Sequence, residues 1–471
     1  MLFSLSNASF LTKDHLVFEN LDWEVREGEH WVIRGDNGSG KTTLLECLAG
    51  RRTLTRGSLT YRFVDGQTWD EKHQQKKQHI RYVPSRVFMS VFKSSSAFFY
   101  QQRYYASGNE EVRTVADFLR PEEQAAPLPL PPSLNLGHLL PLPVTYLSNG
   151  QLRKLVLLKA LQSSPSLLLL DYPYEGLDVA SREEFNRFIT QLLALYPTTL
   201  ILTDNRHELP ASISRTFTLA GTRRAAPAVV LPSGPGLLAA PPPAAKDIIS
   251  LRQVNIRYGE KVLFADFSWT VKAGERWALV GKNGSGKSTL LSLIFADHPQ
   301  AYANEVYLFG RRRGSGESIW DIKRQINFMA PEISTYFHYS VRQNETVAEH
   351  LVQEVADAFT GRPPGGTQRQ ERSLAHLGYF GMAHLAPRTV RSLSSGEAQL
   401  VFLIKAFLRE KPLYLLDEPF QYLDPLHTEL ASRFVEEHLP PEATLILITH
   451  YPESLPPYVQ QVKYLGEGKR E

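Results

Sequence analysis

The nonapeptide GDNGSGKTT that begins at Gly35 returns as GKNGSGKST at Gly281, 246 residues later. Three further pairs keep that offset: LSNGQ and LSSGE around Gly150 and Gly396, LLLLDYP and LYLLDEP around Asp171 and Asp417, and LILTD and LILIT around Thr203 and Thr449. Self-similarity at one constant spacing marks a duplicated unit of about 220 residues. The expected division is residues 1–220, a connector over 221–246, and residues 247–471. The connector is rich in Ala and Pro, a composition that suits a semi-stiff spacer rather than a packed element.

Both copies follow one plan. Residues 30–33 and 276–280 read as short buried strands that run into glycine-rich turns, and residues 42–48 and 288–295 read as the helices that follow. Apolar runs at 167–170, 200–202, 413–416 and 445–448 alternate with helical stretches such as 182–195. That alternation predicts an α/β fold twice over, each copy a mainly parallel sheet with crossover helices. The aromatic run at 98–105 and the Pro-rich run at 129–143 read as subdomain core and loop.

Composition excludes several classes. A chain of 471 residues with one cysteine, Cys47, forms no intramolecular disulfide and no cysteine metal cage, which fits a reducing compartment. Lys plus Arg number 52 against 49 Asp plus Glu, a net charge of +3 without long runs of one sign, so nucleic acid is not the expected partner. No window approaches the ~18 consecutive apolar residues of a spanning helix, and the first residues lack the basic head and apolar stretch of a secretory signal. The expectation is a cytoplasmic protein that works at a membrane only by docking on another chain.

Each glycine-rich element satisfies G-x-x-x-x-G-K-[ST]. Backbone N–H groups of such a loop cradle phosphates at a helix N-terminus, the lysine neutralises the outer phosphates, and the hydroxyl holds Mg2+. The candidate nucleotide-binding residues are Gly35, Asn37, Gly38, Ser39, Gly40, Lys41, Thr42 and Thr43 in the first copy, and Gly281, Asn283, Gly284, Ser285, Gly286, Lys287, Ser288 and Thr289 in the second. Asp171 and Asp417, at the ends of apolar strands, join Thr42 and Ser288 as candidate metal residues, meeting Mg2+ through its water shell. Glu418 directly follows Asp417, where a carboxylate can orient or deprotonate an attacking water.

The ordered set of phosphate loop, LSNGQ or LSSGE, LLDEP-like strand end, Gly-Leu-Asp or Tyr-Leu-Asp, and a final Thr-Asp or Thr-His resembles the ATP-binding cassette (ABC) ATPases over nearly the whole chain. The resemblance implies ATP as substrate with Mg2+, and makes Ser148 and Gly150, likewise Ser394 and Gly396, signature elements that complete the nucleotide site of the opposite half. It also implies that Asp178 and Asp424 lie in loops between paired halves, that Phe10 and Tyr258 stack on adenine, and that Lys287, Glu418 and His450 are catalytic.

The copies differ where this chemistry is decided. Tyr172 stands at the position of Glu418, and Asp204 at that of His450. A phenol with an ordinary pKa of about 10 is a poor base at pH 7. One hydrolytic site is expected, built on the second phosphate loop, and one that binds ATP with little or no cleavage. Where the family carries a glutamine after a strand, the chain has Val83-Pro84-Ser85 and Met329-Ala330-Pro331-Glu332. The fused cassettes and that second segment are similar to the ModF-type molybdenum-transport ATP-binding proteins. The resemblance points to energising of solute transport through separate membrane permease subunits. The alternatives are a soluble ATPase acting on ribosomes, like the ABC-F proteins, and a nucleotide-timed scaffold. The short connector, nearly free of charge, favours transport over a ribosome-probing arm.

Overall fold

The computed structural model describes residues 1–11, 16–36, 38–85, 113–120, 136–144, 147, 149–205, 208–220, 246–258, 261–330, 345–352, 367–450 and 452–466. Asn37, Ser148, the aromatic run, most of the Pro-rich run, Pro331, Glu332 and the connector up to residue 245 lie outside them. The chain forms two compact units, Met1–Arg224 and Ala225–Glu471.

The strands of the first unit are β1 (Phe3–Leu11), β2 (Leu16–Val25), β3 (Trp31–Arg34), β4 (Arg56–Tyr61), β5 (Ile80–Val83), β6 (Leu167–Leu170), β7 (Thr199–Thr203) and β8 (Arg215–Thr218). Those of the second are β9 (Asp247–Tyr258), β10 (Lys261–Lys272), β11 (Arg276–Gly281), β12 (Glu305–Leu308), β13 (Arg311–Arg312), β14 (Ile326–Met329), β15 (Leu413–Asp417), β16 (Thr444–Thr449) and β17 (Gln461–Leu465). Each unit contains a five-stranded parallel sheet, in the order β5-β6-β7-β3-β8 and β14-β15-β16-β11-β17. The two orders correspond strand for strand.

The buried strands are the apolar runs of the sequence because a parallel sheet is covered on both faces and tolerates apolar side chains at every position. All four leucines of β6 are buried. Each such side chain contributes about 1.5–3 kcal/mol relative to exposure. The strand order also positions the site. It sets β7 between β6 and β3, and β16 between β15 and β11, so the ends of these three strands open beside one another at the carboxyl edge, where ligands of parallel sheets bind.

A second, antiparallel sheet in each unit, β2-β1-β4 and β10-β9-β12-β13, is absent from the sequence expectation. Register shifts along β1, β2, β9 and β10 blur the two-residue alternation that would reveal it. The irregularities repeat between copies. Asn7 and Gln253 both take φ 48°, and their N–H groups donate to Asp22 Oδ1 at 2.8 Å and Ser268 Oγ at 2.9 Å, again 246 residues apart. Edge-to-face tryptophans repeat too: Trp23 on Trp31 and Trp269 on Trp277, each with ring centroids 5.4 Å apart.

Helices begin where caps allow. The helix expected over 182–195 spans Val179–Leu195, because the Asp178 side chain accepts from Ser181 N–H at 2.7 Å and satisfies the first turn. Asp424 caps the helix Pro425–His438 in the same way through His427 N–H at 2.8 Å.

Candidate functional site

Gly40 and Gly286 close the two phosphate loops at φ 95° and 99°, each as N-cap of the helix that follows, Lys41–Leu48 or Lys287–Ile294. A Cβ at Gly40 would lie 2.5 Å from Val17 Cγ1, and one at Gly286 2.7 Å from Phe264 Cζ, so only glycine fits. Gly38 and Gly284 also take positive φ, with open space around them. Asn283 is half-buried within its loop, and Thr43 and Thr289 lie in the first turn of the two helices. The hydroxyls of Ser39 and Ser285 are buried beneath Gly35 and Gly281, without a hydrogen-bond partner among the described residues.

Both loop lysines are buried. Lys41 Nζ donates to the carbonyls of Gly35 (2.6 Å) and Asp36 (2.8 Å), and Lys287 Nζ to those of Gly281 (2.5 Å) and Lys282 (2.9 Å). These contacts hold a charged donor at the mouth of each loop, where an arriving phosphate can compete for it.

Asp171, at the end of β6, is buried, and Thr42 Oγ1 lies 3.1 Å from both its carboxylate oxygens. Thr203 donates to it at 2.9 Å and Tyr82 at 3.4 Å. Burial raises its pKa to about 6, against the lowering effect of the hydroxyl donors, with Glu46 adding a smaller push upward. Asp417 occupies the corresponding end of β15, and Ser288 the first turn of its helix.

In the second unit His450 bridges the two parts of the site. Its Nδ1 lies 3.2 Å from the Gly281 carbonyl, which can only accept, so Nδ1 carries a hydrogen. Its Nε2 lies 3.3 Å from Glu418 Oε1, within ion-pair distance of that carboxylate. Gln399 Nε2 donates to the Glu418 carbonyl at 2.9 Å, and Glu418 N–H to the Ile448 carbonyl at 3.0 Å, which pins the backbone of that residue.

The first unit is built differently at the same place. Tyr172 takes the position of Glu418, its N–H donating to Thr203 Oγ1 at 2.8 Å and its ring centroid 5.7 Å from Lys41 Nζ. Asp204 is buried at the position of His450, and the next residue, Asn205, takes over the contact with the loop. Asn205 Nδ2 donates to the Gly35 carbonyl at 2.7 Å while its Oδ1 accepts from Gly35 N–H at 3.2 Å. Asn205 carries no motif that marks it in the sequence, because the constant offset pairs it with Tyr451 and pairs Asp204 with His450. Tyr82 and Gln399 carry no motif either.

The two aromatics differ in setting. Phe10 is buried in the core against Phe18, ring centroids 6.0 Å apart, with the Arg52 guanidinium 5.8 Å from its ring. Tyr258, half-exposed at the end of β9, directs its hydroxyl to His298 Nε2 at 2.8 Å and Thr289 Oγ1 at 3.4 Å. Ser394 caps the helix Ser395–Ala406 in a reciprocal pair with Glu397, and Gly396 is buried in its first turn. Gly150 lies in the first turn of the matching helix Asn149–Leu161.

A duplicated parallel α/β fold with a phosphate loop and a strand-end carboxylate in each copy defines a twin-cassette nucleotide-binding protein. The ABC transporter family profile matches residues 18–175 and 264–421, and the chain belongs to that family. It is similar to the ABC transporter ATP-binding protein ModF of Escherichia coli, at 31% identity over 94% of this chain and 93% of the relative. It is also similar to an ABC transporter ATP-binding protein of Schizosaccharomyces pombe, at 30% identity over 98% of each. Among solved structures, a ribosome-bound archaeal Pelota and ABCE1 assembly matches at 19% identity and TM-score 0.52, covering 95% of this chain and 73% of that one, a likeness of fold. Among the described residues no helix is long and apolar enough to cross a membrane.

Proposed function

We propose that the chain is an ATP-hydrolysing engine in which the second cassette turns over and the first holds nucleotide with little or no cleavage. The observation that carries this reading is the difference at paired positions: Glu418 with His450 at 3.3 Å in one copy, Tyr172 with Asp204 in the other. Glu418 orients and deprotonates the attacking water, His450 shares the proton and reads the last phosphate, and Lys287 neutralises the charge that develops on it. Tyr172 offers a phenol, a poor base at pH 7, and Asp204 a buried carboxyl group where the second copy has an imidazole.

Mg2+ fits the donor set in the first copy, where the Thr42 hydroxyl and Asp171 carboxylate already face each other at 3.1 Å. Ser288 and Asp417 would hold it in the second. Mg2+ keeps most of its waters and needs only one or two protein groups besides the phosphates. When bound, it neutralises charge on the outer phosphates.

We place the engine on a transport task, driving solute movement through separate permease subunits that carry the specificity. The support is the family, the full-length similarity to ModF and the further similarity to the thiamine import ATP-binding protein ThiQ of Haemophilus influenzae. The test is capture by Glu418→Gln protein held with ATP and Mg2+, from solubilised membranes and from ribosomes in parallel. Recovery of a multi-spanning permease is expected. Ribosomal recovery without one overturns the transport reading.

A further inference from the structure

Position 298 separates the two copies as sharply as position 418 does. His298 is buried and follows the first phosphate-loop helix of the second unit, Lys287–Ile294, by four residues. Its Nδ1 accepts from the Gln300 backbone N–H at 3.2 Å. A nitrogen that accepts from an N–H carries no hydrogen, so in the neutral ring the proton sits on Nε2. Nε2 therefore donates to the Tyr258 hydroxyl oxygen at 2.8 Å, and the same hydroxyl lies 3.4 Å from Thr289 Oγ1 in the phosphate-loop helix. Burial supports the neutral ring, lowering the His298 pKa to about 4.

Among the described residues the first copy shows no such relay. Arg52 stands where His298 stands, pairs with Glu46 and lies over the Phe10 ring instead of donating to a phenol. The relay belongs to the copy that also carries Glu418 and His450.

We infer that His298 is a positioning residue for the nucleoside end of the second site: through the chain of contacts His298 to Tyr258 to Thr289 it holds the Tyr258 ring at a set angle to the phosphate-loop helix. This rests on the reading that Tyr258 stacks on adenine. A free tyrosine at a strand end samples several rotamers and must be ordered when a base arrives, whereas a ring tethered at both its Cβ and its hydroxyl presents its face already ordered. The relay thus acts on nucleotide affinity and leaves the phosphate chemistry to the loop.

The experiment measures KM and kcat for ATP in the full chain, with inorganic tripolyphosphate as a competitor that lacks a base. Tyr258→Ala removes the stacking face and is expected to raise KM by about 5- to 100-fold, the range of one base–aromatic stack. Tyr258→Phe and His298→Leu each break the relay and are expected to raise KM by about 3- to 10-fold, the range of one hydrogen bond, with kcat lowered less than twofold. The double variant is expected to match either single one, because the chain is broken once. His298→Gln, which keeps a donor at the Nε2 end, is expected to restore most of the affinity. Inhibition by tripolyphosphate is expected to stay at the wild-type level in all of them. An unchanged KM in Tyr258→Phe and His298→Leu, with the rise present in Tyr258→Ala, overturns the relay and leaves stacking in place. An unchanged KM in Tyr258→Ala overturns the stacking reading itself. If His298→Leu does not fold, Tyr258→Phe decides the same question.

Discussion

Tyr172 and Glu418, 246 residues apart, share the same left-handed backbone conformation, φ 45° and 48°. Neither is glycine, and an L-residue there costs about 1–2 kcal/mol. Both copies hold this strained turn directly after the strand-end aspartate, so the duplication has kept the geometry that aims the side chain and changed the side chain. Strain of this kind persists where the surroundings over-determine it, commonly at functional sites. Tyr172→Ala is accordingly expected to leave ATP turnover within twofold of wild type, measured as phosphate release at saturating ATP.

Asn205 grips Gly35 through both amide atoms, at 2.7 and 3.2 Å. Each hydrogen bond is worth about 0.5–1.5 kcal/mol. Asn205→Ala is expected to weaken nucleotide retention by the first cassette by about tenfold, read as loss of bound ATP on dilution in a Glu418→Gln background. Turnover by an otherwise wild-type chain carrying Asn205→Ala is expected to fall less than retention does.

Acid is expected to destabilise the second unit. His298 and His376 are buried, and burial lowers their pKa values from 6.5 to about 4 and about 3, the latter helped by His438 and Arg372. Between these values and pH 6.5 the unfolded chain binds protons that the folded chain does not. Stability is therefore complete above pH 6.5 and falls as the pH drops through that window, by roughly 2 kcal/mol per histidine at pH 5. Urea unfolding at pH 7 and pH 5 measures the difference, and His298→Gln is expected to reduce it by roughly 2 kcal/mol.

Arg313 and Glu317 form a buried ion pair at 2.6 Å, with side chains 1% and 3% exposed, and Arg313 also donates to Tyr302 at 3.0 Å. Removing one partner leaves a buried charge without its counterion. Arg313→Met is expected to cost about 3–5 kcal/mol by thermal or urea unfolding.

Much of this was legible in the sequence where chemistry demands particular residues at particular spacings. The phosphate loops, the buried strands at Leu167 and Leu413 and the strand-end aspartates are of that kind, because a glycine turn, a two-faced sheet and a metal each admit few alternatives. The antiparallel sheets were not legible, since bulges near Asn7 and Gln253 break their alternation. Asn205, Tyr82 and His298 escaped for another reason. Each acts on a residue far along the chain, Gly35, Asp171 or Tyr258, and distance along the chain carries no signal of contact in space.

Turnover is assigned to the second cassette and to Glu418. Steady-state ATP hydrolysis by Glu418→Gln tests that assignment most directly. Loss of a general base is expected to lower kcat by about 100-fold or more, with ATP still bound. Retention of more than half the wild-type rate by that variant would contradict the account.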